Sequence, residues 1–193
     1  MLLTLIRHGE VEGPPWVFRG HSDVPLSSHG WDNMRAAVKS LPSTFGRIIT
    51  SDLRRCREFA EEWAGTIAVP FSIDRRLREI DFGNWEGLTP DEVGRRFPTE
   101  LPAFRAAPDS WPGAGGESFV QFRNRVAHAL NDIDATTEDE HIALVTHGGV
   151  IRQVISMTYQ ISYAAALQME VGYASARQVW YEPSLTNARI EVI

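Results

Sequence analysis

The stretch Leu2-Leu3-Thr4-Leu5-Ile6-Arg7-His8-Gly9 decides the fold of this sequence, because an apolar run ends there abruptly in a cation and an imidazole. A continuous apolar run of this kind is typical of a strand that is buried on both faces of a parallel sheet. The same design returns at Ile142-Ala143-Leu144-Val145, which runs into Thr146-His147-Gly148-Gly149. The sequence therefore predicts two buried strands, each of which delivers a histidine at its carboxyl end.

Strand and helix patterns alternate between and beyond these two runs. Residues Ile48 to Ser51 indicate a short strand, and apolar residues at helical spacing follow directly from Leu53 to Trp63. Another helix is predicted over Val150 to Tyr159, immediately after the second histidine. This alternation predicts an α/β fold, a three-layer α/β/α sandwich with a mostly parallel central sheet, formed as a single domain over residues 1–193.

Local signals place further boundaries. Ser27 or Ser28 is suited to cap a helix, and Pro42 is expected to end that helix. Residues 178–182 and 188–193 are alternating and β-branched, so they are predicted to form strands near an edge of the sheet.

The segment around residues 88–118 is predicted to leave the core as a lid or cap. It opens with Thr89-Pro90-Asp91-Glu92, which combines a capping threonine, a proline at the first helical position and a glutamate three residues after the cap. Proline then recurs up to Pro112, which is typical of an irregular excursion. The next long helix is expected to begin near Glu117 or Ser118.

Composition excludes several classes of protein. The 193 residues carry 19 Lys plus Arg against 25 Asp plus Glu, a net charge of −6 that is unfavourable for binding nucleic acid. The single cysteine, Cys56, excludes an internal disulfide and is expected to be a buried core residue. The apolar run at residues 1–6 is too short for a signal peptide or a membrane span. We therefore expect a cytoplasmic protein with no membrane or nucleic-acid partner.

Residues that follow parallel strands meet at one edge of the sheet, where α/β proteins bind their ligands. The potential cations that would meet there are Arg7, His8, His147 and either Arg54 or Arg55. Guanidinium groups match phosphate oxygens and stay charged, and they disfavour protonation of a nearby imidazole. The sequence therefore predicts a phosphate pocket in which a neutral histidine can act as a nucleophile.

Four blocks in this order resemble the histidine phosphatase superfamily, also called the phosphoglycerate-mutase-like family, and the resemblance runs nearly from end to end. The blocks are Leu5-Ile6-Arg7-His8-Gly9-Glu10, Thr50-Ser51-Asp52-Leu53-Arg54-Arg55-Cys56, Leu77-Arg78-Glu79-Ile80-Asp81-Phe82-Gly83-Asn84-Trp85-Glu86-Gly87 and Val145-Thr146-His147-Gly148-Gly149. Each block alone is a weak signal, because short motifs recur by chance.

The resemblance implies a role for each site residue. His8 would be the nucleophile that becomes phosphohistidine, while Arg7, Arg55 and His147 would bind the phosphoryl oxygens, with Gly148 as a further substrate contact. Because the superfamily neutralises the phosphoryl charge with protein side chains, the resemblance implies no metal and no other cofactor.

Glu79 would be the proton donor to the leaving oxygen and then the base for the attacking water. The segment from Phe18 to Ser27 also looks like the loop that walls the phosphate site in this family, and Arg19 within it is expected to bind substrate. Pro14 stands where many members carry an asparagine, which leaves its contribution open. Arg152 is expected to face either the crevice or solvent.

The motif set looks most like that of α-ribazole-5′-phosphate phosphatases of cobalamin synthesis. A leaving group with an aromatic base would suit an apolar wall over the phosphate pocket formed by Trp16, Phe18, Phe104 and Trp111. The alternative for these aromatics is that they only anchor loops.

Other functions stay open at this point. A broad-specificity phosphatase or a mutase-like enzyme on small phosphorylated metabolites is the nearest alternative, although mutases of the family are longer. A phosphate-binding regulatory module without turnover and a metal-dependent hydrolase using His8, His147 and a carboxylate are the others. The expected partner is a small phosphomonoester, and a homodimer is left open.

Overall fold

The computed structural model describes residues 1–41, 44–136 and 141–182. The strands are β1 (Leu2–Arg7), β2 (Arg47–Thr50), β3 (Phe71–Ile73), β4 (His141–Thr146) and β5 (Ala176–Trp180). The α-helices are α1 (Ser28–Lys39), α2 (Arg54–Ile67), α3 (Pro90–Arg96), α4 (Glu100–Ala106), α5 (Phe119–Thr136), α6 (Gly148–Tyr159) and α7 (Tyr163–Leu167). The predicted helix stop at Pro42 and the predicted strand over 188–193 lie outside the described residues.

These strands form one sheet in the order β3-β2-β4-β1-β5. Strand β4 pairs in parallel with both β1 and β2, and β2 pairs in parallel with β3, while β5 runs antiparallel to β1. The sheet is therefore mostly parallel, as predicted, and the carboxyl ends of β1, β4 and β2 lie side by side. The residues that follow these three strands share one edge.

Helices cover both faces of the sheet and give the predicted three-layer sandwich. One face buries strand residues against helices α5 and α6, in a core that includes Leu3, Leu5, Ile142, Leu144, Phe122, Val126, Val150 and Val154. The opposite face buries the alternate strand residues against α1 and α2, in a core that includes Ile6, Ile48, Ala143, Val145, Met34, Phe59 and Trp63. Alternating burial follows from the period-2 geometry of a strand.

The predicted excursion contains α3, α4 and a short 3-10 turn at Pro108–Ser110. Thr89 and Glu92 form a reciprocal capping box at the start of α3, with Pro90 at the first helical position, as the sequence indicates. The segment packs on the core through Trp85, Phe104 and Trp111, whose rings contact one another. Its movement as a lid stays a prediction.

No helix within the described residues combines the length and the apolar character that a membrane span requires.

Candidate active site

Sheet geometry brings the predicted site residues together. Arg7 is the last residue of β1, and the backbone N–H of His8 donates to the carbonyl of Thr146 at the end of β4 over 3.0 Å. The N–H of Ser51, just past β2, donates to the carbonyl of Val145 over 3.2 Å. Three neighbouring strands therefore deliver their next side chains into one crevice, as the strand-end argument predicts.

His8 is held in one tautomer by its own loop. The imidazole is 6% exposed, and its Nδ1 lies 2.8 Å from the carbonyl oxygen of Gly9. A carbonyl oxygen only accepts hydrogen bonds, so Nδ1 must carry the proton and Nε2 must carry a lone pair. The ring lies 5.2 Å from that of His147 and 5.5 Å from that of Tyr173, centroid to centroid.

Arg55 is fully buried at the start of α2 and all its guanidinium nitrogens are held. It donates from Nη1 to the carbonyl of Ser22 at 2.7 Å, from Nη2 to the carbonyl of Gly20 at 2.6 Å, and from Nε to Nδ1 of His147 at 3.3 Å. Each of these acceptors is uncharged, so they fix the orientation of the Arg55 guanidinium and leave its positive charge available to an anion.

Arg7 is fixed in a comparable way. Its Nη1 donates to the carbonyl of Val171 at 2.5 Å, and its guanidinium carbon lies 4.1 Å from the centroid of the Tyr173 ring. Its Nε is buried and has no hydrogen-bond partner in the described part of the chain. A buried donor without a partner is costly, which favours a bound acceptor at this position.

Neither Arg7 nor Arg55 forms an ion pair with a carboxylate within the described residues. Burial lowers the pKa of both guanidinium groups from the usual value. A buried Arg55 and a half-buried Arg7, neither of them ion-paired, favour the entry of an anion that brings its own charge. The crevice is therefore suited to a dianionic phosphoryl group.

His147 caps α6 and completes the pocket. Because its Nδ1 accepts from Arg55, its Nε2 carries the proton and donates to Oγ of Ser51 at 2.9 Å. Burial, with a further contribution from Arg55, holds the pKa of both His147 and His8 well below the usual value. Both imidazoles are therefore neutral near pH 7.

Glu79 lies at the same crevice, on the loop after a 3-10 turn at Arg75–Leu77. Its Oε2 accepts a hydrogen bond of 2.9 Å from the backbone N–H of Gly149 in the first turn of α6, and its Oε1 accepts one of 3.0 Å from the N–H of Ile80. Arg125 fixes the loop by donating to the Glu79 carbonyl at 2.8 Å. These hydrogen bonds thus hold the Glu79 carboxylate in a fixed position beside the crevice.

Glu86 organises the loop that holds Arg55. Its carboxylate accepts from the N–H groups of Gly20 and His21, each at 2.9 Å, and from both the N–H and the hydroxyl of Ser22. The carbonyls of Gly20 and Ser22 are the same ones that receive the Arg55 guanidinium. Glu86 therefore sets the position of Arg55 through the loop.

An outer cleft of about 810 Å³ opens beside the phosphate pocket. Its walls are the loop after β1 and the loop before β5, with the lining residues Arg7, Glu10, Val11, Gly13, Pro14, Pro15, Trp16, Val17, Phe18, Arg19, Pro90, Glu170, Gly172 and Tyr173. Arg19 donates from Nη2 to the carbonyl of Pro14 at 3.0 Å, and its charge contributes to lowering the pKa of His8. Arg19 therefore lies between the pocket and the cleft.

Arg152 faces the crevice rather than solvent. Its Nη1 would lie 3.1 Å from a Cβ atom added to Gly148, where the Nε of Arg7 would lie 3.4 Å away. It donates to the carbonyl of Met169 from Nε and Nη2, each at 3.3 Å. Arg54, by contrast, pairs with Glu58 on the surface of α2.

Two of the four aromatic residues expected over the pocket lie elsewhere. Trp16 and Phe18 line the outer cleft, whereas Phe104 and Trp111 do not. Phe104 and Trp111 contact Trp85, and Trp111 is 4% exposed. Their apolar surface is used to anchor the segment over 88–118, so the loop-anchoring alternative is correct for this pair.

Sequence reasoning missed the roles of several residues that shape the site, namely Glu86, Gly149, Arg125 and Tyr173. The position of Ser51 after the second strand predicts that it meets His8 and His147 at this crevice, and the structure adds its hydrogen bond with His147. Tyr173 had no such signal, because it follows no strand and reaches the site only when β5 docks.

Cys56 is buried, as expected, with Sγ 3.6 Å from Nε2 of His147. Burial raises the pKa of this thiol. Within the described residues, no three His, Cys, Asp or Glu side chains are grouped closely enough to hold a metal ion.

A mostly parallel α/β sheet with two neutral imidazoles, two unpaired arginines and one carboxylate at its edge defines a phosphoryl-transfer site. Residues 3–189 match the profile of the histidine phosphatase superfamily (branch 1), and the chain belongs to this superfamily. It is a phosphatase, and the family predicted from its motifs is confirmed.

Similar proteins and a similar solved structure are also phosphatases. The chain is 35% identical over 158 residues to a glucosyl-3-phosphoglycerate phosphatase of Mycolicibacterium vanbaalenii, covering 77% of this chain and 70% of that protein. It is 29% identical over 161 residues to the adenosylcobalamin/alpha-ribazole phosphatase of Salmonella typhimurium, covering 81% and 78%. The structure of mycobacterial glucosyl-3-phosphoglycerate phosphatase Rv2419c with VO3 superposes with a TM-score of 0.82 at 28% identity, covering 92% and 91%.

Proposed function

We propose that this chain hydrolyses small phosphomonoesters through a phosphohistidine formed on Nε2 of His8. The observation that carries the proposal is the lone pair on Nε2, fixed by the hydrogen bond from Nδ1 to Gly9 and surrounded by the unpaired charges of Arg7 and Arg55. A neutral nucleophile beside fixed cations suits attack on a dianionic phosphoryl group.

The chemistry runs in two balanced steps. In the first, Nε2 of His8 bonds to phosphorus as the bond to the alcohol oxygen breaks, and protonated Glu79 gives that oxygen its proton. In the second, water attacks phosphorus, the nitrogen–phosphorus bond breaks, and ionised Glu79 takes a proton from the water. Free His8, protonated Glu79 and inorganic phosphate result.

The remaining groups stabilise charge in both steps. Arg7 and Arg55 bind the equatorial oxygens. His147 can donate from Nε2 to a further phosphoryl oxygen when it gives up its hydrogen bond to Ser51. Gly148 contributes its backbone N–H at the start of α6, where helix geometry favours an anion. In this proposal protein cations neutralise the phosphoryl charge, so turnover is expected to persist in EDTA.

For the substrate we propose α-ribazole 5′-phosphate, the intermediate of cobalamin synthesis. Support comes from the 29% identity to the Salmonella typhimurium enzyme and from Trp16, whose exposed ring lines the outer cleft where a benzimidazole ring would lie. The second candidate is glucosyl-3-phosphoglycerate, because the chain is 35% identical to a phosphatase of that name.

The test is steady-state hydrolysis, with EDTA present, of both candidates beside sugar phosphates, nucleotides and p-nitrophenyl phosphate. A preference of about a hundredfold in kcat/KM, roughly 3 kcal/mol of transition-state discrimination, identifies the substrate. A flat profile that His8→Ala abolishes identifies a broad-specificity phosphatase.

A rapid-quench experiment with ³²P-labelled substrate checks the intermediate. We expect an acid-labile, alkali-stable label on the wild-type chain and none on His8→Ala. Turnover that survives His8→Ala, or that EDTA abolishes, contradicts the mechanism, and binding of phosphate without any turnover indicates a regulatory module.

A further inference from the structure

The outer cleft is continuous with the phosphate pocket. Arg7 lines the cleft, and the ring of Tyr173, which also lines it, lies 4.1 Å from the Arg7 guanidinium and 5.5 Å from the His8 ring. Tyr173 is 46% exposed, so it presents free ring surface to the cleft. A group attached to a phosphoryl held against Arg7 can therefore extend along this ring into the cleft.

Trp16 gives the cleft a second exposed ring in an unusual conformation. Its side chain is 87% exposed, and its backbone φ is 60°, in the left-handed region that is unfavourable for a bulky residue. Gly13 at φ 95° and the hydrogen bond from Arg19 to the Pro14 carbonyl hold this loop. Exposure and backbone strain at one residue of a binding cleft favour a role in ligand contact.

The outer cleft is lined by two arginines and two glutamates, which face different parts of a bound ligand. Its cations, Arg7 and Arg19, both act electrostatically on His8 and therefore belong to the side of the cleft nearest the phosphoryl group. The charged side chains that remain are the carboxylates of Glu10 and Glu170. These two carboxylates disfavour a second anion on the part of the ligand that lies against them.

We infer that the outer cleft binds an uncharged aromatic ring of the leaving group against Trp16 and Tyr173, and that it rejects leaving groups that carry a second anionic charge. The inference rests on the proposed hydrolysis at His8. It separates the two candidate substrates, because α-ribazole carries a neutral benzimidazole whereas glucosylglycerate carries a carboxylate.

Two matched pairs of substrates test the inference without changing the class of leaving oxygen. α-Ribazole 5′-phosphate and methyl riboside 5-phosphate share one primary alcohol and differ in the ring. Glycerol 3-phosphate and 3-phosphoglycerate differ in the carboxylate. We expect the wild-type chain to favour the ring-bearing ester by about tenfold or more in kcat/KM, and the ester without a carboxylate by about threefold or more at low salt.

Trp16→Asn removes the ring and keeps a residue that tolerates the left-handed backbone. It should reduce the ring preference to within about twofold, because the loss of kcat/KM is larger for the ring-bearing ester than for methyl riboside 5-phosphate, while Trp16→Phe should keep most of the preference. Glu170→Gln should narrow the discrimination against 3-phosphoglycerate. Trp180→Thr is the matched control, since Trp180 is 67% exposed but pairs with Leu2 at the opposite end of β1.

Absence of ring preference in the wild-type chain overturns the inference, and so does an equal loss on both riboside esters in Trp16→Asn. Equal or better turnover of 3-phosphoglycerate overturns the charge argument. Failure of the proposed function is a different result, namely residual turnover in His8→Ala or loss of turnover in EDTA on all four esters.

Discussion

The backbone N–H of Gly149 donates to Oε2 of Glu79 over 2.9 Å, and a Cβ atom added at Gly149 would collide with Oε1 of the same carboxylate. Gly149, the second glycine of the His-Gly-Gly motif, therefore donates a hydrogen bond to Glu79 and also leaves room for the Glu79 carboxylate. Because the N-terminus of a helix favours a carboxylate, α6 holds Glu79 beside the phosphate pocket.

Gly149→Ala is expected to displace Glu79 and to lower kcat for unactivated alkyl phosphates by about a hundredfold, within the range of a lost general acid. Gly65→Ala is the matched control, since a Cβ atom added there, on α2, has no neighbouring atom within 4 Å. Steady-state kinetics and thermal unfolding of both variants provide the check. Similar losses of kcat in the two variants would show that the space at Gly149 is not specific to Glu79.

Glu79→Gln is expected to slow alkyl phosphates by about a hundredfold and p-nitrophenyl phosphate much less, because only a poor leaving group needs a proton as its bond breaks. The measurement is kcat/KM across esters of increasing leaving-group pKa. Uniform slowing across the series would count against Glu79 as the acid.

Glu86→Gln is expected to weaken phosphate binding although Glu86 lies outside the pocket. The amide keeps one acceptor oxygen of two, so N–H groups of Gly20 to Ser22 lose a charged partner, each such hydrogen bond being worth about 1.5–3 kcal/mol. Since Arg55 binds the carbonyls of this loop, the inhibition constant of inorganic phosphate should rise about tenfold. Glu58→Gln, which removes a surface carboxylate on α2, should leave it unchanged.

A stability loss without any change in phosphate affinity would show that Glu86 only supports the fold. The two readouts, thermal midpoint and inhibition constant, are therefore measured on the same preparations.

Mild acid is expected to destabilise the protein through its buried imidazoles. The pKa values of His8 and His147 lie well below 6.5 in the folded protein and near 6.5 in the unfolded chain, so the unfolded state binds more protons below that pH. Stability is therefore fully present above pH 6.5 and falls as the pH is lowered, by up to about 1.4 kcal/mol per pH unit for each histidine.

Urea unfolding between pH 7.5 and 5 measures this slope. His8→Asn should reduce it and His29→Asn, which changes an exposed residue of α1, should not. His141, whose pKa burial also lowers, contributes equally in all three proteins. A slope identical in wild type and His8→Asn would contradict the burial of a neutral imidazole.

Most of the fold was predictable because long buried strands and capped helices carry local signals. Strand β3 was missed because it has only three residues, two of them exposed, so no alternation can be recognised in it. The last described strand was expected at 178–182 and lies at Ala176–Trp180. Its register is set by pairing with β1, where Leu2 faces Trp180, which local sequence does not encode.

The inner part of the site was equally predictable, since His8 and His147 directly follow buried strands. Arg55 could not be separated from Arg54 by pattern alone, because either residue of the first turn of α2 could have faced inward. Glu86 and Tyr173 depend on contacts between distant segments. Glu86, for example, reaches Gly20 across 66 residues, and only tertiary structure reveals such a relation.

The hydrogen bond from Arg7 to the carbonyl of Val171 joins residues 164 positions apart. Arg7 ends β1 and Val171 lies before β5, so this guanidinium is supported by a segment from the far side of the sequence. The orientation of the Arg7 guanidinium is therefore expected to depend on β5 having docked beside β1, so this end of the pocket is completed by long-range assembly of the sheet rather than by the local loop.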